Sequence, residues 1–205
     1  MRSNKADEKE KMVLDDTKLI KEAQRGNMQA LEQLIYKYDR HVLNIAKSFR
    51  NDEDDAKDIY QEVFMRVYRG LKNFQFKSEF STWLFRITTN VCITYENKKK
   101  RHSHDSINRE IKAEDEDNAA TLADFIPGSG RTDDQAVGSD LSVHINRALE
   151  TLPSQQKMVF TLKYFQDYKI REIADMMQCA EGTVKRYLFT ATNKMRDQLK
   201  DVFEV

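Results

Sequence analysis

The sequence predicts an all-α chain in two helical domains joined by a flexible acidic linker, and three observations predict it. Apolar residues recur at helical spacing through most of the first hundred residues and again from residue 141 onward. Only two Pro and six Gly interrupt 205 residues, too few for a turn-rich β fold or a Pro/Gly-rich disordered chain. Between the periodic stretches, residues 102–140 hold ten Asp or Glu against three Lys or Arg, together with Pro127, Gly128, Gly130 and Gly138. Such a segment cannot bury enough apolar surface to order itself, so it reads as a tether without a core of its own. The domains are then expected at 15–101 and 141–205, behind a charged, frayed tail at 1–14.

Taken in order, Asp16 opens the first helical period, with Leu19, Ile20 and Ala23 on one face and Gly26 as its stop. A second helix follows from about Met28 to Phe49, with the stripe Leu31, Leu34, Ile35, Tyr38, Val42, Ile45, Ala46 and Phe49. Asp52 is placed to cap a third helix, whose stripe is Ala56, Ile59, Tyr60, Val63, Phe64, Val67 and Leu71. A loop at Asn73 to Glu79 leads into a fourth helix from about Ser81 to Lys99, carrying Trp83, Leu84, Ile87 and Val91. In the C-terminal domain Leu141, Ile145, Ala148 and Leu149 share a face. Pro153 and Ser154 then restart a helix with Met158, Val159 and Leu162. Two shorter segments complete the chain, Ile170 to Met177 and about Glu181 to Leu199.

Composition excludes several classes of function. The 34 basic and 34 acidic side chains cancel, so no global charge draws the chain to nucleic acid, and any such attraction must be local. The 20 aromatic side chains supply a core. Cys92 and Cys179 alone make neither a disulfide framework nor a four-ligand zinc site. No apolar run reaches the roughly 18 residues that span a bilayer, and Met1 to Lys11 is charged, so the chain is expected in the cytoplasm without membrane insertion. His102-x-His104 has no carboxylate cluster beside it, and no nucleophile–base set or Gly-rich phosphate loop appears. The chain is therefore expected to be no enzyme and to need no metal or cofactor.

Three stretches carry chemistry. Residues 169–199 fit a helix-turn-helix: Ile170, Ile173, Ala174 and Met177 point inward, and Gln178-Cys179-Ala180 forms the turn. A second helix then opens at Glu181 and buries Val184 and Leu188. From Gly182 to Lys200 five Lys or Arg face one Asp, the local excess that phosphate attraction needs. Upstream, Asp54, Asp58, Gln61 and Glu62 share one helical side, either plain solvated surface or a docking face for a basic partner. Phe74 to Asn90 sets aromatic and hydroxyl side chains ahead of the basic run Lys98-Lys99-Lys100-Arg101, a combination suited to unstacked bases. A free-standing helix-turn-helix regulator would explain the C-terminal domain, but a reader of intact duplex has no need of the aromatic loop.

Together these residues resemble the bacterial RNA polymerase sigma factors of the extracytoplasmic function (ECF) group. Asp55-Ala56-x-Asp58-x-x-Gln61-Glu62-Val63-Phe64 resembles that family's polymerase-binding helix. Phe80-Ser81-Thr82-Trp83-Leu84-Phe85-Arg86-Ile87-x-x-Asn90 resembles its minus-ten-reading segment, and Glu181-Gly182-Thr183-Val184-Lys185 the start of its minus-thirty-five helix. The resemblance implies a dissociable subunit of core RNA polymerase that recognises and melts promoter DNA. Asp55, Asp58, Gln61, Glu62 and Phe64 would face the clamp helices of the largest subunit. Phe74, Phe76, Ser78, Phe80, Trp83, Arg86, Asn90, Lys98, Lys99, Lys100 and Arg101 would meet the minus-ten element, the loop from Phe74 to Phe80 holding a flipped base. Gly182, Thr183, Lys185, Arg186 and Tyr187 would meet the minus-thirty-five groove. The acidic linker would thread the polymerase interior, and the family leaves room for an anti-sigma factor as a partner. In the loop the family often has Gly where this chain has Phe76-Lys77.

Overall fold

Short polar side chains set the helix boundaries. Asn27 accepts from the backbone N–H groups of Gln29 and Ala30, and Asp52 accepts from those of Asp54 and Asp55, so two helices begin with their orphan donors satisfied. Asn51, in the left-handed region at φ 46°, closes the helix before Asp52 by donating to Lys47 O. In the computed structural model residues 15–113 and 133–203 are described, with side chains for 15–101 and 141–200. Among them every regular element is helical: α1 (15–24), α2 (Met28–Arg50), α3 (Glu53–Leu71), α4 (Phe80–Ala113), α5 (Asp133–Glu150), α6 (Ser154–Tyr164), α7 (Ile170–Met177) and α8 (Glu181–Phe203).

The predicted stripes are the core. Leu31, Leu34, Tyr38, Val42, Ile45, Ala46 and Phe49 of α2 meet Ala56, Ile59, Val63, Val67 and Leu71 of α3, and α4 closes the N-terminal bundle with Leu84, Val91 and Cys92. Each fully buried Leu or Ile contributes about 2 kcal/mol. In the C-terminal half α8 crosses α5, α6 and α7. A second cluster, Ala148, Leu149, Leu152, Ala191 and Met195, fills the α5–α8 contact.

Two findings differ from the sequence expectation, and a third, the packing of the halves, supplies what the sequence left open. Helix α4 runs to Ala113 and α5 begins at Asp133, so part of the expected structureless linker is helical. Residues 102–113 contain no Pro or Gly, and nothing in them stops a helix already propagating. The halves do not stand apart: α4 packs on α6 and α7, α2 packs on α6, and one apolar core joins Phe85 and Phe49 to Met158, Leu162, Ile173 and Met176. In α7, Met176 is buried and Met177 only half-buried, because this helix also covers α4. The tail at 1–14 and linker residues 114–132 lie outside the described residues, as do the side chains of His102 and His104.

Arg50 makes 2.6 and 2.5 Å ion pairs with Asp55 and Glu96, inside a network that reaches Lys99, Lys100, Glu150 and Lys157. Burial pushes both carboxyls up, but Lys99, Arg50 and Tyr95 outweigh it at Asp55. Lys157, Lys100 and Arg50 outweigh it at Glu96. Both therefore lie below the ordinary carboxylate range. Folded-state values below the unfolded ones give stability that is present above the ordinary range and lost as pH falls through the folded values. Denaturant titrations across pH should thus show a loss of stability setting in below about pH 4, which Glu96→Gln weakens. Asp52→Ala, which strips the α3 cap, is expected to cost about 1 kcal/mol in the same titrations at neutral pH.

Candidate functional site

On α3, Asp58, Gln61 and Glu62 are exposed beside Met65 and line a groove of about 460 Å³ against Tyr95 and Lys98 of α4. Glu62 accepts from Arg66 one turn on at 2.7 Å, which presents its carboxylate without burying it. Phe64 lies on the other flank, half-buried, with its ring 4.8 Å from Tyr60. Asp55 is not on this exposed stripe. It is 8% exposed and accepts from Arg50 Nε at 2.8 Å, Tyr95 Oη at 2.9 Å and Lys99 Nζ at 2.6 Å. Burial and the neighbouring Asp55 push the Tyr95 hydroxyl up to about 12. Asp55 braces the stripe from behind: its Lys99 and Arg50 partners consume the charge that was expected to face outward.

The loop after α3 is built on aromatic rings. The Gln24 side chain of α1 donates to Leu71 O and Phe74 O, both at 2.9 Å, and fixes where the loop leaves the helix. Phe74 and Phe80 are buried and Trp83 half-buried, with Phe74–Trp83 and Phe80–Trp83 centroids 5.0 and 5.7 Å apart. A Cβ at Gly70 would stand 3.0 Å from Trp83 Cζ2, so this glycine leaves the space the indole occupies. These three aromatics form a floor rather than an open contact surface. Phe76 stands above it, 40% exposed at φ 57°, a left-handed conformation uncommon for an aromatic residue. The loop thus demands at Phe76 the conformation that glycine adopts freely, at the position where the resembling family often has one.

Phe74, Phe76 and Phe80 line, with Tyr38, Ser78 and Asp16, a cavity of about 310 Å³. Asp16 of α1 accepts from Tyr38 Oη at 2.5 Å and Lys37 Nζ at 2.6 Å, and burial together with Asp16 drives the Tyr38 hydroxyl upward. Lys21 Nζ lies 6.0 Å from the Phe76 ring centroid. Sequence reasoning missed this wall contributed by α1. Its signal was present in Asp16, which lies on the same helical side as Ile20.

The basic and polar residues of α4 divide. Asn90, Lys98 and Arg101 are exposed. Lys99 is committed to Asp55, and Lys100 to Glu96 at 3.0 Å and to the carbonyls of Glu150 and Leu152. Arg86 is half-buried, and its Nε donates to Asp175 O of α7 at 2.8 Å.

On α8, Val184, Ala191 and Met195 are buried, which leaves Gly182, Lys185 and Arg186 exposed and Thr183 half-buried. Tyr187 turns back: its hydroxyl donates to Gln155 of α6 at 2.6 Å. Phe189 takes the outward position instead, 70% exposed one turn beyond Lys185 and Arg186. The i+4 spacing from Lys185 was the signal that could have found it. Among the described residues no three His, Cys, Asp or Glu side chains gather to hold a metal ion, and no helix is long and apolar enough to cross a membrane.

Comparison with known proteins agrees with this geometry. The family model described as Sigma-70 region 2 matches residues 34–102, and that of Sigma-70 region 4 matches 143–195. The RNA polymerase sigma-H factor of Pseudomonas aeruginosa is 30% identical over 182 residues, 86% of this chain and 89% of that one. The ECF sigma factor SigW of Bacillus subtilis is 29% identical over 186 residues, 90% and 97% of the two chains. Among solved structures, CnrH in complex with the cytosolic domain of CnrY shares the fold with a TM-score of 0.60 at 21% identity, covering 91% of this chain and 98% of that one. RpoE from Bartonella quintana, solved with the anti-sigma factor NepR, has a TM-score of 0.51 at 24% identity, covering 82% and 96%. With a region 2 bundle carrying the exposed acidic stripe and aromatic loop, and a region 4 helix-turn-helix behind it, this chain belongs to the ECF sigma factors, the subunits that bring RNA polymerase to promoters and start transcription there.

Proposed function

We propose that three faces of the chain divide this work. Asp58, Gln61 and Glu62 on α3, flanked by Phe64, dock the clamp helices of the largest polymerase subunit, with Asp55 holding the start of the helix in place. The cavity under Phe76 receives one base flipped from the opened minus-ten strand, and Arg86, Asn90, Lys98 and Arg101 guide that strand along α4. Gly182, Thr183, Lys185 and Arg186 enter the minus-thirty-five major groove. Phe189 adds an apolar surface of the kind that contacts a thymine methyl.

The observation that carries this reading is the cavity itself. Removing a base from its stack costs a few kcal/mol. An aromatic surface returns about 1–3 kcal/mol per stacked base, and Ser78 and Asp16 add polar groups for a base edge. A reader of intact duplex has no use for such a cavity. The working units are residues 15–101 and 141–205, and bond-making belongs to the polymerase, in the cytoplasm where it transcribes. A protein inhibitor is a further partner on this reading, supported by the NepR complex of the Bartonella relative.

Transcription in vitro from a promoter library, with core polymerase and with or without the chain, tests the whole. New start sites should appear only when the chain is added; an unchanged start-site profile would refute it. Lys185→Ala with Arg186→Ala is expected to weaken promoter use and lower the log–log salt slope by about 1–2, near 0.9 per lost phosphate contact. A slope equal to the parent's would show that neither side chain meets DNA. Asp58→Arg with Glu62→Arg should abolish co-purification with core polymerase while leaving the thermal melt unchanged, since both side chains are exposed.

A further inference from the structure

Helix α1 stands outside the residues that the region 2 model matches, yet one of its faces serves the aromatic loop. Asp16, Ile20 and Gln24 fall at i, i+4 and i+8, so they share that face. Asp16 and the buried Ile20 line the cavity beneath Phe76, and Gln24 is not among the residues that line it. Its side chain reaches instead to the point where the chain leaves α3.

There the backbone turns on itself. Phe74 N–H donates to Leu71 O at 3.0 Å, and the half-buried Gln24 amide spans the same turn, donating from Nε2 to both Leu71 O and Phe74 O at 2.9 Å. A primary amide has two N–H donors, so both bonds form at once. Pinning Phe74 O fixes the plane of the Phe74–Gln75 peptide, because the peptide unit is rigid. Phe76 follows one residue later at φ 57°, its ring 5.1 Å from that of Phe74. A left-handed aromatic residue persists only where its surroundings over-determine it. On the α3 side those surroundings are the buried Phe74 ring and the Gln24 clamp.

We infer that Gln24 is a positioning residue for base capture: by holding the Phe74–Gln75 peptide it keeps the Phe76 ring over the cavity, in the one placement that discriminates among bases. Gln24 touches no base itself and acts through Phe76. Without the clamp the peptide turns, the strain at Phe76 is released, and the ring leaves its place for part of the time. Capture then weakens by the fraction of chains so released, and selectivity falls because a loose roof fits every base alike. The inference rests on the assignment of this cavity to a flipped minus-ten base.

The test is transcription in vitro by core polymerase with the full chain, from promoters randomised at both the minus-ten and the minus-thirty-five elements. Gln24→Glu keeps the shape of the side chain and removes its N–H donors. It should flatten base preference at one minus-ten position on the order of tenfold, the net effect of two neutral hydrogen bonds. Preference in the minus-thirty-five element should not change, because Lys185 and Arg186 lie on α8. Gln24→Met, neutral and of similar length, should do the same, and serves where the carboxylate destabilises the fold. In a Phe76→Ala background, which lacks the roof, neither substitution should have a further effect. A loss shared by both elements, or a lower yield with preference intact, shows Gln24 to be structural only and overturns the inference. An equal loss in the Phe76→Ala background overturns it too. Phe76→Ala by itself separates the two claims. If it leaves preference intact at every minus-ten position, the cavity assignment falls and the inference with it. If it flattens a position that Gln24→Glu and Gln24→Met leave intact, the assignment stands and the role of Gln24 is refuted.

Discussion

One chain of ion pairs, buried at Asp55, Glu96 and Lys157, ties the helix that carries the exposed acidic stripe to the helices packed against it. Arg50 ends α2, Asp55 begins α3, Glu96 and Lys99 lie on α4, Glu150 ends α5 and Lys157 lies on α6, so a single network ties five helices at their ends. Geometry makes the network tolerable. Glu96 is 0% exposed, and a lone carboxylate there would cost several kcal/mol, but Arg50 and Lys100 approach it at 2.5 and 3.0 Å. Lys157 pays part of the cost in its own basicity, which burial lowers further than Glu150 and Glu96 restore it. The result specifies register more than it adds stability. It sets the pitch of α3, and hence of its exposed stripe, relative to the α4 surface that carries Arg86.

The apolar period recovered the helices well because a helix that buries one stripe must repeat every three or four residues, and α2 does so from Leu31 to Phe49. It recovered the wrong status for charged residues in contact with distant ones. Asp55 looked outward because its neighbours Asp54 and Asp58 do. Its burial depends on Tyr95 and Lys99, some forty residues later, and no local pattern encodes that. Lys157 escaped notice for the same reason: a lysine within an apolar run reads as the solvated edge of its helix, and only the carboxylates of α4 and α5 draw it inside. The ends of α4 and α5 were hidden by acidic composition, which disfavours a core but does not forbid a helix continuing from one already packed. Phe189 was lost among apolar residues, since its i+4 place after Lys185 marks it as outward only once the buried stripe Val184, Ala191 and Met195 is fixed.

The loop between α3 and α4 shows how rigidity and openness are reconciled at one site. Phe74, Phe80 and Trp83 spend their area on each other and on Gly70, which anchors the loop at both ends. Phe76 is then held in a left-handed conformation that costs on the order of 1 kcal/mol, with its ring kept out of the core. A glycine there would relieve the strain and also remove the ring, leaving a cavity without its roof. The α1 helix supplies the opposite wall through Asp16, so the cavity needs a segment that the polymerase-binding and strand-reading motifs do not contain.

The placement of the buried network also couples the faces. The α3 stripe lies on one side of Asp55 and the α4–α6 contact on the other, through Lys99 and Arg50 in direct ion pairs. A partner that grips Asp58 and Glu62 acts on the same helix whose first turn holds Asp55, and Tyr95 touches both Asp55 and Asp58. The α3 stripe and the α4–α6 contact are in this way joined through contiguous side-chain contacts.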